Sequence, residues 1–279
     1  MAIFRLAGAN YNVVTAGDGA PVMLLHGFTG CAQSWNLLQE ALAARFTTII
    51  PDLLGHGRSD APDDPERYRV ERTVADLIAI LDGLGLERTH LLGYSMGGRV
   101  ALAAAIAHPE RIASLILESA SPGLAGDSER RARIASDNAL ADLAERDGID
   151  AFVARWEQTP LFATQQRLPE PVRERLHYQR LANNPRGLAN NLRGLGTGVQ
   201  PSLWDRLGEL AMPCLLMAGE LDAKFVGIAH RMADAIDGAR IAIVTGAGHT
   251  IHLEEPVNFE RLVMEFLRDI SDNFFYNHE

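Results

Sequence analysis

Residues 91–100 read LLGYSMGGRV. Within them Gly93-Tyr94-Ser95-Met96-Gly97 sets a serine between two glycines, the pattern of a sharp strand-to-helix turn that pushes the hydroxyl into the open. A serine hydroxyl alone is a poor nucleophile and a poor base. It needs an imidazole to take its proton and an acid to orient that imidazole. His249 lies in TGAGHTIHLEEP and Asp222 in AGELDAKF, each just after an apolar run. The chain order Ser95, Asp222, His249 is one known order for such a trio. Glu220 is the rival acid, nearer the body of its strand, and His252 is read as a neighbour of the catalyst. The string His26-Gly27-Phe28-Thr29-Gly30 follows another apolar run. The backbone N–H groups of Phe28 and Met96 are therefore the candidate oxyanion hole. Asp52, His56 and Asp60, in PDLLGHGRSD, are read as structural. Arg99 raises a separate question. At four residues beyond Ser95 it shares the same helix face, where the hydrolysis of a neutral ester has no use for a guanidinium.

These groups meet only if the elements between them bring them to one edge. AIFRL and YNVVTAG read as a hairpin at a sheet edge, and PVMLLHG as a buried strand. Residues 34–46 have helical spacing with Ser34 as N-cap. TTIIPD is a strand, 70–86 an amphipathic helix, THLLGYS a strand, 96–108 a helix closed by Pro109, and ASLILES a strand. From Pro122 to residue 206 helical patterns follow one another without a convincing strand: 131–147, 151–158, 171–183 and 185–195. Alternation then resumes with strands at 212–220 and 240–248 and helices at 225–236 and 256–270. Strands alternating with helices predict an α/β fold with a mostly parallel central sheet and helices on both faces. The expected organisation is a core of 1–121 and 207–279 with an inserted helical cap of 122–206 over the edge where ligands bind.

Composition narrows the function classes. The chain has 279 residues, 47% hydrophobic and 22% charged, an ordinary globular mixture. A net charge of −10 argues against a nucleic-acid partner. No apolar run approaches the ~18 residues of a membrane span, and MAIFRLAGANYNV lacks the features of a signal peptide. Two cysteines, Cys31 and Cys214, make no disulfide framework. A cytoplasmic monomer without membrane partner is expected. Lys224 is the only lysine among 26 basic residues, a ratio that a codon bias explains.

Together these motifs resemble the α/β-hydrolase fold across nearly the whole chain. A narrower resemblance rests on GYSMGGR, SPGL at 121–124, ERRARIASD, WEQTPLF, the run from YQRLANNPRG to VQPSLWD, AGELDAKF and AGHTIHLEEP. These are similar to the 2-succinyl-6-hydroxy-2,4-cyclohexadiene-1-carboxylate synthases of menaquinone biosynthesis. That resemblance implies a lyase that eliminates pyruvate from 2-succinyl-5-enolpyruvyl-6-hydroxy-3-cyclohexene-1-carboxylate, with the triad serine as base and no metal or organic cofactor. The implied substrate is a small tricarboxylate, which gives Arg99 a purpose. An arginine fork can hold a carboxylate with two parallel hydrogen bonds. The resemblance extends the carboxylate-binding set to Arg130 or Arg133, which the sequence does not separate, and to Arg180. It places Tyr94 and Trp156 in the pocket lining. The alternatives are a carboxylesterase or C–C bond hydrolase using the same triad, and a ligand receptor on a hydrolase scaffold.

Overall fold

The computed structural model describes residues 1–276, with side chains described through 270. Its strands are β1 (Ala2–Leu6), β2 (Ala9–Ala16), β3 (Ala20–Leu25), β4 (Phe46–Pro51), β5 (Thr89–Tyr94), β6 (Ile112–Glu118), β7 (Cys214–Gly219) and β8 (Arg240–Val244). They form one sheet in the order β1-β2-β4-β3-β5-β6-β7-β8. The first two junctions, β1/β2 and β2/β4, are antiparallel and the other five are parallel. The helices are α1 (Asn36–Leu42), α2 (Val70–Gly83), α3 (Met96–Ala107), α4 (Asp127–Glu157), α5 (Glu170–Leu181), α6 (Pro185–Leu195), α7 (Ala223–Ala235), α8 (Ile251–Glu254) and α9 (Pro256–Tyr276).

The central strands are apolar on both sides because both faces are covered. Met23, Leu25, Leu91, Leu115, Leu117 and Leu216 pack with residues of α2, α3 and α7 on one face. Their neighbours Val22, Leu24, Leu92, Ile116, Leu215 and Met217 pack with α1 and α9 on the other. This is the period-two alternation of a strand, expressed as two cores rather than as core and solvent. At roughly 25 cal/mol per Å² of apolar surface, these layers are the main favourable term holding the sheet's edge in place.

Between β6 and β7 every regular element of α4–α6 is helical. A small core of its own holds them: Ala141, Ala144, Phe152 and Val153 against Leu188, Ala189 and Leu192. The helical patterns at 131–147 and 151–158 are joined into α4, interrupted at Gly148 with φ 81° and ψ −177°. Helix α6 meets the core through backbone. A Cβ on Gly187 would lie 2.6 Å from the Gly55 Cα, and one on Gly55 would lie 2.5 Å from the Gly187 carbonyl oxygen. Side chains add further ties: Gln179 Nε2 donates to Ser34 Oγ at 2.8 Å and Asn183 Nδ2 to the Thr29 carbonyl at 3.0 Å.

The helix expected at 34–46 is shorter and begins differently. A 3-10 turn at Ala32–Trp35 precedes α1, and Trp35 is the N-cap residue. Ser34 belongs to the turn, its Oγ accepting from the Cys31 N–H at 3.3 Å, so its side chain closes the turn instead of capping the helix.

Two buried histidines make the fold sensitive to acid. His90, on β5, bonds Ser114 Oγ at 2.8 Å, and burial, with a smaller push from Arg88, lowers its pKa to about 4. Burial and the neighbouring His26 lower that of His56 to about 3. Above pH ~6.5 both states are neutral and neither group matters. Below it the unfolded chain takes up protons that the folded chain refuses, so stability falls as the pH drops towards the folded values. At pH 5.5 each group should cost about 1 kcal/mol relative to pH 7.5. Thermal denaturation should show a midpoint several degrees lower at pH 5.5, and His90→Gln should flatten that dependence. An unchanged slope in the variant would remove His90 from the account.

Candidate active site

The turn from β5 into α3 carries Ser95 at φ 50° and ψ −105°, a left-handed conformation costly for a residue with a Cβ. Its flanking glycines are needed for space. A Cβ on Gly93 would run into the Gly97 carbonyl, and one on Gly97 into the carbonyls of Leu25 and His26. Ser95 N–H donates to the Glu118 carbonyl of the adjoining strand at 2.8 Å, which ties the strained residue to the sheet.

Ser95 Oγ lies 3.0 Å from His249 Nε2, and His249 Nδ1 lies 2.7 Å from Asp222 Oδ2. With Asp222 accepting from Nδ1–H, Nε2 is left to accept from the serine hydroxyl. Asp222 is also the N-cap of α7, its other oxygen accepting from the Phe225 N–H at 3.3 Å. His249 is 1% exposed and is gripped by the rings of Phe225 at 4.6 Å and Tyr94 at 5.5 Å. The rival acid Glu220 is exposed and accepts from the Gly246 N–H instead.

The N–H groups of Phe28 and Met96 make no hydrogen bond among the described residues. For Met96 this follows from its place as the first residue of α3, where helix N–H groups have no intrahelical acceptor. The Phe28 loop is braced from below: His26 Nδ1 bonds the Gly27 carbonyl at 2.8 Å and Nε2 accepts from the Leu53 N–H at 3.0 Å. Asp52 holds the same region, accepting from the N–H groups of Ala32 and Arg58 and from Asn12.

A cavity of about 680 Å³ opens above Ser95, lined by core and α4–α6 residues together. Arg99, Arg133 and Arg180 line it, as do Tyr94 and Trp156. Arg130 does not line it; its Nε donates to the Gly198 carbonyl at 3.2 Å. The structure thus separates the two arginines that sequence spacing left equivalent.

Arg99 is buried, and among the described residues it forms no ion pair. Its Nη1 donates to the Leu195 carbonyl at 2.9 Å and to Gln200 Oε1 at 2.5 Å. Burial, reinforced by Arg133, lowers its pKa to about 10, with Asp137 opposing. The group stays cationic at neutral pH. Asp137 is bonded to Arg133 at 2.8 Å. Arg180 is also buried, held by Glu157 at 2.9 Å and Gln165 at 2.8 Å. The Nε of Arg180 and the indole N–H of Trp156 are buried without a partner among the described residues. A buried donor left unpaired is costly, and an acceptor in the cavity would relieve both.

Three participants were not read from the sequence. Gln165 donates to Thr250 Oγ1 at 2.9 Å, and Thr250 Oγ1 shares a 2.9 Å hydrogen bond with the Tyr94 hydroxyl. A polar chain therefore runs from Arg180 through Gln165 and Thr250 to the ring beside His249. Glu118, fully buried at the end of β6, accepts from the Nδ1 and the backbone N–H of His252 at 2.9 and 3.0 Å. It fastens the segment after His249 to the sheet. An acid closing the apolar run LILE was the one available signal for it. Gln165 lies in a 3-10 turn without periodicity, and nothing local marks it.

Comparison with known proteins agrees with this geometry. A family model described as the α/β hydrolase fold matches residues 20–256. A Bacillus subtilis (strain 168) protein, provisionally named 2-succinyl-6-hydroxy-2,4-cyclohexadiene-1-carboxylate synthase, is 50% identical over 94% of this chain and 96% of its own. The protein of that name from Salmonella agona (strain SL483) is 33% identical over 90% of this chain and 95% of its own. The solved structure of MenH from S. aureus superposes with a TM-score of 0.89 at 36% identity, covering 94% of this chain and 98% of that one. The chain belongs to the α/β-hydrolase family and, within it, to the 2-succinyl-6-hydroxy-2,4-cyclohexadiene-1-carboxylate synthases.

Proposed function

We propose that the chain is a lyase of menaquinone biosynthesis. It eliminates pyruvate from 2-succinyl-5-enolpyruvyl-6-hydroxy-3-cyclohexene-1-carboxylate to give 2-succinyl-6-hydroxy-2,4-cyclohexadiene-1-carboxylate. Besides kinship, one observation carries this reading: a buried Arg99, held by neutral oxygens and without an ion pair among the described residues, lines the cavity one helical turn from Ser95. Simple ester hydrolysis gives that cation no partner, whereas a tricarboxylate does. Burying a charge is tolerable only with a counter-charge or good hydrogen bonds.

In this mechanism His249 Nε2 takes the Ser95 proton as Oγ removes the acidic proton beside the succinyl ketone. Negative charge moves to the ketone oxygen, which the Phe28 and Met96 N–H groups receive. Collapse of that enolate forms the C2=C3 double bond, shifts the ring's C3=C4 double bond to C4=C5 and breaks the C5–O bond to the enolpyruvyl group. The leaving enolate takes up one proton at carbon and becomes pyruvate. Asp222 keeps the imidazole in the tautomer that accepts from serine and stabilises its cation. Arg99, Arg133 and Arg180 hold carboxylates, Tyr94 and Trp156 shape the pocket, and residues 122–206 act as its cap. We place the enzyme in the cytoplasm as a monomer. No helix among the described residues is long and apolar enough to cross a membrane.

Two substitutions test the roles. Ser95→Ala should lower the rate of pyruvate release by roughly a thousandfold or more while the diene product still binds, because only the base is lost. A rate within tenfold of the parent would remove Ser95 as the base. Arg99→Met should reduce kcat/KM for the enolpyruvyl substrate by ~30- to 1000-fold, about 2–4 kcal/mol of lost carboxylate binding, and should leave slow p-nitrophenyl acetate cleavage nearly unchanged. Fast ester cleavage without pyruvate release would instead establish a carboxylesterase.

A further inference from the structure

Lys224 is the single lysine among 26 basic residues. It stands two residues after Asp222, in the first turn of α7, and lines the catalytic cavity. Lys224, Gly227, Ile228 and Arg231 fall at i, i+3, i+4 and i+7 on α7 and all line the same cavity, so one helix face forms a wall of it. A Cβ on Gly227 would meet nothing within 4 Å, which leaves that wall open between its two cations. One of them is committed: the Arg231 guanidinium lies 4.1 Å over the Trp204 ring. Lys224 makes no ion pair among the described residues. Its ammonium lies 5.8 Å from the centroid of Phe225, the ring that packs on His249.

Two local rules argue against a lysine here. A cation in the first turn opposes the helix dipole, and a chain that uses arginine at every other lysine-or-arginine position departs from that habit once, in the lining of its own cavity. The chemistry explains both. A guanidinium fork two residues from Asp222 would match that carboxylate bidentately and compete with His249 for it. A compact ammonium on a flexible stem supplies charge to the cavity without that geometry.

We propose that Lys224 is a carboxylate ligand of the substrate, acting from the α7 wall of the cavity. It takes the third carboxylate, which Arg99 with Arg133 and Arg180 leave unmatched. This rests on the tricarboxylate reading above.

The full chain offers one ε-amine, so Lys224 can be read directly. Labelling with trinitrobenzenesulfonate, quantified on the Lys224 peptide by mass spectrometry, should slow at least fivefold when the diene product or pyruvate saturates the enzyme. The product protecting alone would assign Lys224 to the ring or succinyl carboxylate, and pyruvate protecting alone to the enolpyruvyl one. In steady state, K224Q should raise KM for the enolpyruvyl substrate about tenfold or more, with kcat changed less than threefold. Labelling unaffected by either ligand, or a KM of K224Q within twofold of the parent, overturns the proposal and leaves the synthase reading intact. Absence of pyruvate release by the parent enzyme overturns the synthase reading itself, and this inference with it.

Discussion

Everything at the site depends on how closely three pieces of backbone approach one another beneath Ser95. The carbonyls of Leu25 and His26 occupy the space where a side chain at residue 97 would begin, and the carbonyl of Gly97 does the same for residue 93. That contact lets α3 start directly over the end of β5 and forces Ser95 into its left-handed conformation. From this single turn follow the exposure of Oγ, the free N–H of Met96 and the direction of Arg99. The neighbouring strands β6, β7 and β8 then deliver Glu118, Asp222 and His249 to the same edge. The apolar layers on both faces make the edge rigid enough to hold a 3.0 Å serine–histidine contact.

Electrostatics works against the average of the molecule. The chain carries a net charge of −10, yet the cavity wall holds Arg99, Arg133, Arg180, Lys224 and Arg231. Against these five cations the lining sets one carboxylate, Glu129, and an excess of one sign inside a concave, partly desolvated space has far more leverage than the same charges on an open surface. The arginines are not all equally available. Arg133 and Arg180 have intramolecular carboxylates that fix their position, while among the described residues Arg99 is held by neutral oxygens. Neutral acceptors orient a guanidinium without cancelling its charge.

Much of the sheet was legible in the sequence because β3, β5, β6 and β7 are short apolar runs closed, at their end or within two residues of it, by glycine or serine (Gly27, Ser95, Ser119 and Gly219), and buried strands have little other way to be written. The trio Ser95, Asp222 and His249 was legible for the same reason, each standing just past such a run. Ser34 misled because an N-cap signature does not say whether the turn it begins continues as a helix; here it closes a 3-10 turn. Arg130 and Arg133 were indistinguishable at a spacing of three, since side-chain direction is set by the partner each finds, the Gly198 carbonyl outside α4 for Arg130 and Asp137 one turn along α4 for Arg133. The links through Gln165, Thr250 and Glu118 span 85 and 134 residues. No local pattern encodes pairings at that separation.

The contact between Gly55 and Gly187 reaches beyond packing. Each residue excludes a side-chain carbon on the other through backbone atoms, so neither can be enlarged in exchange for trimming its partner. Ordinary core positions drift by compensation, a larger residue here answered by a smaller one there. This pair has nothing left to trim. Sequence change in the loop at 52–60 and in the first turn of α6 is thereby locked together, and chains that keep this seating of α6 must carry the same two hydrogens wherever else they diverge.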